Sequence, residues 1–554
     1  MNRALRIELK ELSEKEREAL VEAHLGGIVP APDLLSAITQ KAGGNPFFLK
    51  ELVDALVEQG FIRIEEAPEG PTLRRGSGSF AIPSTLEDVI ASRIGALTEL
   101  ERSVVRWLSV LGDGASVQEI SALVGSEVGP ALDNLEKRGL VIRKGEHLTF
   151  SSGLAREVAY QTIDAEDRPR MHRQVAQQLE KGGASVPPAR IARHYQLAGE
   201  SALAARFYRE AGLRARSIYS NREALHFFAE ALRLLPESAT EERFEIHAAR
   251  EDIWRMLSLP SEQRLELEEM RKLAERSRDP RLMGIALVRL ARHELDVGSG
   301  IPVDAILGEG LNAAIRAGDR ATEIEALRLL GHLRRDQGDL TGALEAFERA
   351  LIRAGDAPEH LAARALIIAN RGSIEWRRGE TDNAIRSAIE SFVIFRRLGH
   401  KSHQAHALNA LGVALIAKGE FEDAIACIQA SVVLDRQAGD RIHVGRKVSN
   451  IGQIFAELGH TERALDYLKW ALHIFEFADD AGSRADTLAA LAEIMVEQVG
   501  DLEEAENLLD DASRLAKRLN DPYDLAHERI VRAELLLVQR KYNEAAFTAH
   551  EGVH

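Results

Sequence analysis

One cysteine, Cys427, is all that this 554-residue chain contains. A lone thiol closes no internal disulfide. Its place on the apolar side of a predicted helix marks it as a small buried hydrophobe rather than a reactive group. No apolar run approaches the roughly 18 residues that a membrane-crossing helix needs, and no signal peptide opens the chain. A soluble, cytoplasmic protein is the expectation. Positive charge is in deficit as well: the formal net charge is −16, which argues against a chain built mainly to hold nucleic acid. The motifs of several chemistries are missing. There is no Gly-x-x-x-x-Gly-Lys-[Ser/Thr] loop to cradle phosphates and no apolar strand ending in paired acids to position magnesium. There is also no His-Glu-x-x-His, no Gly-x-Ser-x-Gly and no Cys/His set at metal-ligand spacing. The chain is therefore not expected, by itself, to be an enzyme or to carry a metal or cofactor.

What is present is repetition. Between Ala326 and Asp356 a small residue (Gly331) is followed twelve residues later by Ala343, then by Phe347 and Ala350. The same step recurs as Gly372/Ala384, Gly412/Ala424, Gly452/Ala464 and Ala533/Ala545, with one inserted residue at Ala492/Ala505. Closing turns end at Asp279, Asp319, Asp356, His400, Asp440, Asp480 and Asp521, mostly 40 or 41 residues apart. A fixed period of that size is the mark of a solenoid, in which each helix pair buries its apolar stripe only by stacking on the next. Small residues belong where two helices cross closely, with larger groups such as Leu327, Leu330 and Phe347 around them. The pattern resembles the tetratricopeptide repeat in a longer form. The copy at Gly212/Ala224/Phe228/Ala231/Pro236 resembles the ordinary 34-residue form. About nine copies are expected over residues 188–554, the last one cut and the poorest near Glu251 and Ala291.

Ahead of the repeats the chain changes character. Ser13, with Glu16 three residues on, reads as a capping box. A short extended piece is expected at Arg6–Leu9. Gly43 and Gly44 should end one helix, Asn45 cap the next, and Pro46 take its first position, where a missing N–H costs nothing. Residues 63–81 are rich in Gly and Pro and read as a hairpin-like linker. From Ile82, with Ser84 or Thr85 as cap, helices and a two-stranded wing turning at Gly145-Glu146 read as a winged helix over 82–165, with a connecting helix over 166–187.

The run Gly43-Gly-Asn-Pro-Phe-Phe-Leu-Lys-Glu-Leu52 resembles the lid segment of the STAND class of AAA-like signalling ATPases. Phe150, Leu154, Glu157 and Tyr160 resemble the end of its winged helix. The resemblance covers about residues 4–180 and that to the tetratricopeptide repeat nearly all the rest; together they imply an all-α chain of three parts: lid-like helices (1–62), a small winged-helix domain and a tetratricopeptide α-solenoid. The STAND resemblance also implies that Gly44 and Pro46 would face a nucleotide. Ser152 stands where the family has a histidine that reaches the bound diphosphate. ATP or ADP would bind only with a P-loop core that this sequence lacks. Met1 opens onto an element already in progress and the chain stops inside a repeat helix, so a piece of something longer is expected.

A repeat superhelix offers a concave groove lined by first helices. Asn370, Asn409 and Asn450 fall near the small crossing residues on that face, and Arg446 lies one turn before Asn450. Amides donate and accept at once, which suits them to an extended peptide backbone, and an arginine suits a carboxylate; the same residues also read as solvated polar positions. A protein or peptide partner is the leading expectation, a small-molecule inducer a second one, both controlling an ATPase switch. Two alternatives remain: a stand-alone adaptor, and a transcription regulator acting through the winged helix. Against the latter, residues 82–164 hold eight Lys/Arg to twelve Asp/Glu, and Asp133 and Glu136 sit beside Lys137 and Arg138. His400, His403 and His406 read as a partly packed cluster rather than a metal site; Trp376 and Trp470 read as either exposed or core, with core packing the default for an aromatic in a solenoid.

Overall fold

The computed structural model describes residues 11–553 except 29, 31, 43, 59, 68–69, 76–84, 298–300, 439, 479 and 520–521. The expectations at Arg6–Leu9, Gly43, Ser84 and Asp521 lie outside the described residues. The fold is helical, with 28 α-helices and five short strands among the described residues. Its contacts divide it into two units, Met1–Leu257 and Ser258–His554.

The first unit begins with helices Glu14–His24, Pro32–Ala42 and Pro46–Glu58. They close over Val21, Ile38, Leu49, Leu52 and Leu56, all fully buried or nearly so. Local chemistry sets the boundaries. The Ser13 amide donates to the Glu16 carboxylate at 2.8 Å, and the Asn45 side chain accepts from the amides of Phe47 and Phe48 at 3.0 and 3.2 Å. Gly44 is a close approach: a Cβ there would collide with the Glu11 side chain, and its carbonyl accepts from Leu12 N–H. Strands Ile62–Ala67 and Gly70–Arg75 then pair as an antiparallel hairpin.

Helices Leu86–Gly95, Glu99–Leu111, Val117–Val124 and Gly129–Lys137 follow, each of the first three capped by a Thr or Ser hydroxyl (Thr85, Thr98, Ser116). Strands Val141–Lys144 and His147–Phe150 form a second hairpin, extended by Ala115–Ser116. Arg93, 1% exposed, ties these parts together. Its guanidinium meets Glu51 at 2.5 Å and Glu58 at 2.8 Å, and donates to the Arg138 carbonyl. Burial raises the Glu51 carboxyl. Burial alone would lower the Arg93 pKa, but Glu58, Glu51 and Asp54 hold it above its ordinary value. The unit ends with helices Gly153–Gln161, Asp167–Glu180 and Pro188–Leu197, the pair Ser201–Ser217 and Asn221–Leu234, and helix Thr240–Met256.

The second unit opens with helix Pro260–Ser277 and continues as seven successive helix pairs, from Pro280–Val297 with Val303–Ala317 to Pro522–Val538 with Tyr542–Val553. The crossing geometry is sharper than the small-to-Ala step suggests. A Cβ on Gly331 would run into the ring of Phe347, sixteen residues on; Gly412 would meet Ile428 at 2.6 Å and Gly452 would meet Leu468 at 2.8 Å, at the same separation. The alanines are there too, since the added atoms on Gly412 and Gly452 would lie 3.2 Å from the carbonyl oxygens of Ala424 and Ala464. So glycine is required by a bulky partner pressed onto its bare face, with the alanine backbone alongside. The repeating aspartates have a specific task. Asp319, Asp440 and Asp480 accept from the amides of Thr322, His443 and Ser483 at 3.1–3.2 Å, so each starts the next pair's first helix.

The inserted residue in the Ala492/Ala505 copy also has a place. Helix Ala481–Ile494 runs into a π-turn, Met495–Val499, which absorbs one extra residue and leaves Ala492 and Ala505 fully buried. Two expectations need correction. Trp376 and Trp470 are 42% and 38% exposed rather than core residues: the crossings are filled by Phe347, Phe395 and Phe475, and Trp470 lies under the Arg436 guanidinium at 5.0 Å. Cys427 is half-buried, its thiol pushed up mainly by burial. Among the described residues no helix is long and apolar enough to cross a membrane.

Candidate functional site

First helices of successive pairs carry polar residues at corresponding positions, and in the second unit these line two adjoining hollows. One, of about 520 Å³, is bounded by His406, Asn409, His443, Arg446, Asn450 and Asp486, among others. The other, of about 770 Å³, shares Asn450 and Asp486 and continues past Gln453, Glu457, Glu493, Glu497 and His527. Three of the four residues expected in a groove, Asn409, Arg446 and Asn450, therefore come together. Asn370 does not line either hollow.

The four differ in what they are free to do. The Asn409 carbonyl oxygen is buried and accepts no hydrogen bond among the described residues. Asn450 lines both hollows, and its amide has no partner among the described residues. Arg446 is half-committed: its Nε donates to Ser483 at 3.0 Å and its head lies 3.6 Å from Asp480, yet the side chain is 58% exposed. Asn370 is engaged elsewhere. Its Nδ2 donates to His332 Nε2 at 3.1 Å, and the Arg328 guanidinium donates to the same nitrogen at 2.8 Å. Burial, then Arg328, depresses His332 to about 4. Glu325 closes this network through Arg292 and Arg328, both at 2.8 Å.

The hollows are electrically unlike. Under the first lies a fully buried pair, Lys447 to Asp435 at 2.5 Å. His406 is lowered by burial and then by Lys447 and His443. His443 is bonded to Asp440 at 2.7 Å; burial would raise that carboxyl, but the His443 backbone and ring hold it below the usual range. At the far end Glu493, Glu497 and Glu534 bring carboxylates within 4.8 Å of one another beside the π-turn. Burial, followed by repulsion from Glu497, raises Glu534, and one of its oxygens is buried without a partner among the described residues. Glu493 is raised mainly by burial, against the pull of His527. The three carboxylates are close enough to share a cation. Gln498, inside the π-turn, reaches back to the Ala456 carbonyl at 2.9 Å.

The remaining expected residues hold structural posts. Gly44 and Pro46 start helix Pro46–Glu58, and Ser152 caps helix Gly153–Gln161 by accepting from Ala155 N–H at 3.1 Å. His403 stacks on Phe395 at 4.8 Å, and His406 meets His443 edge-on at 5.1 Å. The acidic end was not anticipated from sequence. Glu493 and Glu534 lie 41 residues apart, so the period itself was the signal that marks them as neighbours.

Comparison with known proteins agrees with this architecture. Residues 407–442 match the profile of the tetratricopeptide repeat, and residues 13–68 match a profile described as a domain of unknown function. The chain carries a tetratricopeptide-like array of helix pairs. Among solved structures it is similar to a signal transduction ATPase with numerous domains (STAND) protein with a tetratricopeptide repeat sensor, from Pyrococcus horikoshii. The identity is 15%, with 98% of this chain and 73% of that chain covered at a TM-score of 0.51. Weaker likenesses include aspartyl phosphate phosphatase F from Bacillus subtilis, at 12% identity over 62% of this chain and 92% of that one, TM-score 0.43. A Rap protein complexed with competence and sporulation factor is 15% identical over 56% of this chain and 97% of that one, TM-score 0.40. At such identities these likenesses speak to fold. No curated protein matches the chain.

Proposed function

We propose that the chain is the sensor portion of a STAND-type signalling protein, and that its groove binds an extended peptide, free or displayed on a partner protein. The observation that carries this reading is the pair of amides without partners among the described residues, Asn409 and Asn450, set between Arg446 and the acidic end of one groove. A buried acceptor without a partner costs about 1–3 kcal/mol, and a peptide N–H is the group that relieves it. Asn450 can donate to a peptide carbonyl and accept from the next N–H. Arg446 suits a carboxylate; Glu493, Glu497 and Glu534 suit a cationic group.

Control of a nucleotide-driven core rests on the fold likeness to a STAND protein along nearly the whole chain and on the Gly44–Pro46 segment. The ligand would bias a two-state equilibrium by binding one state better than the other. The test is selection of a mixed hexapeptide library on the full chain, read by mass spectrometry. Enrichment of peptides with opposite charges at their two ends, lost in the double variant Asn409→Ala/Asn450→Ala, is the expected result. Equal enrichment by the variant would overturn the groove reading.

A further inference from the structure

A third hollow lies wholly within the first unit and takes no part in the groove. It measures about 620 Å³, within the range of small-molecule sites. Its walls come from the end of helix Glu99–Leu111 with the turn at Gly112-Asp113, and from one face of helix Gly153–Gln161 (Gly153, Arg156, Glu157, Tyr160). His172, Arg190, Arg193 and His194 complete it.

Three guanidinium groups line this space with spare capacity. Arg156 donates through Nε to the Ser109 carbonyl at 3.3 Å, and its head is 3.8 Å from Asp113. Arg190 uses one nitrogen on Glu119 at 3.3 Å, while its other terminal nitrogen is buried without a partner among the described residues. Arg193 is exposed and makes no ion pair or hydrogen bond among the described residues. Behind them runs a polar chain: Tyr160 hydroxyl to His172 Nε2 at 2.9 Å, then His172 Nδ1 to His194 Nδ1 at 2.9 Å. The two imidazoles are 3% and 5% exposed. The second ring nitrogen of His194 has no partner among the described residues. Burial above all, then His172 and the three arginines, depress His194 to about 3, with no acidic group among the main causes. Arg156, Arg190 and Arg193 are thus the cationic groups that bear on the floor of the hollow. Two acids also line the hollow. Asp113 accepts from the Thr149 hydroxyl at 2.8 Å, and Glu157 is exposed.

We propose that this hollow binds a phosphate monoester, its phosphate facing Arg156, Arg190 and Arg193 and accepting a hydrogen bond from His194 Nε2. Three guanidinium groups offer more donors than the two oxygens of a carboxylate can take, whereas a phosphate monoester presents three terminal oxygens and close to two charges. The volume exceeds what a bare phosphate fills, and Asp113 and Glu157 suit hydroxyl groups on the body that carries it. The histidine chain supports the same polarity. When Tyr160 donates to His172 and His172 donates to His194, the remaining proton of His194 sits on Nε2 as a donor. A bound anion selects that direction.

The test uses the full chain with inorganic phosphate, ribose 5-phosphate and ribose, at ionic strength held constant with sodium chloride. Calorimetry measures affinity, and long-range proton–nitrogen NMR of the histidine rings reads the His194 tautomer, assigned with His194→Gln. Both phosphates should bind and move His194 to the Nε2-protonated form, ribose should not, and Arg193→Ala should weaken binding about tenfold. Arg193 is exposed and unpaired, so that variant keeps the fold, which an unchanged melting curve verifies. The proposal is overturned if inorganic phosphate at tens of millimolar leaves the histidine resonances where chloride leaves them. It is overturned equally if Arg193→Ala binds as the parent does. Neither result touches the peptide groove of the second unit.

Discussion

In the first unit a single guanidinium, Arg93, meets side chains from positions 51, 54 and 58 and the carbonyl of residue 138. In the second, the contact that sets the architecture joins residues sixteen apart and is written again in pair after pair, as Gly331 on Phe347, Gly412 on Ile428 and Gly452 on Leu468. One unit relies on a many-partner junction made once, the other on a two-partner junction made many times. The first concentrates the consequences of a change. The second spreads them along the array, because each pair depends on its neighbours alone.

That contrast can be broken experimentally, and the largest effect belongs to Arg93. Arg93→Ala strands Glu51 and Glu58 in a buried site, a loss of about 3–5 kcal/mol. Denaturant unfolding followed by hydrogen exchange should show it throughout helices Pro46–Glu58, Leu86–Gly95 and Gly129–Lys137, with the array unaffected. Acid provides the second probe. His172 and His194 titrate at about 4 and about 3, chiefly because they are buried, against an ordinary 6.5. Below that ordinary value the unfolded chain takes up protons that the folded chain refuses. Stability that is complete above pH 6.5 therefore falls as the pH drops towards 4, by at most about 1.4 kcal/mol per pH unit for each ring. Melting of the first unit between pH 7 and 4 should show this slope, flattened in His172→Gln.

Gly331→Leu or Gly452→Leu forces a side chain into Phe347 or Leu468 and should cost about 1–3 kcal/mol. The loss should be confined to the altered pair and its neighbours, as read by hydrogen exchange. An unchanged melting curve for both would refute the sixteen-residue contact. The smallest effect is the loss of a cap. Asp319→Ala should cost about 1 kcal/mol, visible as faster exchange in the first turn of helix Arg320–Asp336 and nowhere in the first unit.

The same contrast explains what could be read from the amino acids. Ser13, Asn45, Thr85 and the spacing of Gly331, Phe347 and Ala350 announce themselves, because caps and helix crossings depend on residues near in sequence. Arg93 does not, since its partners lie 35–45 residues away with no period to link them. The Tyr160–His172–His194 chain is nearer in sequence, at separations of 12 and 22 residues, but has no period to link it either. At the groove, the period placed Asn409, Arg446 and Asn450 together. Asn370 occupies an equivalent register and still spends its amide on His332, a choice made by Arg328 and Glu325 on neighbouring turns. Periodicity locates a position; the neighbours decide whether its side chain is available.

The aspartate-capped junctions also carry a mechanical meaning. Each of Asp319, Asp440 and Asp480 starts a new helix where the previous pair has ended, so the array is divided into segments of about 40 residues, each held by its own crossing and by the faces of its neighbours. Drawn out from its ends, such a chain yields one segment at a time. Each release adds roughly 140 Å of extended backbone. The second unit is in this sense a spring with counted coils: partial extension leaves the remaining coils intact, and relaxation rewinds them from any coil that stayed closed.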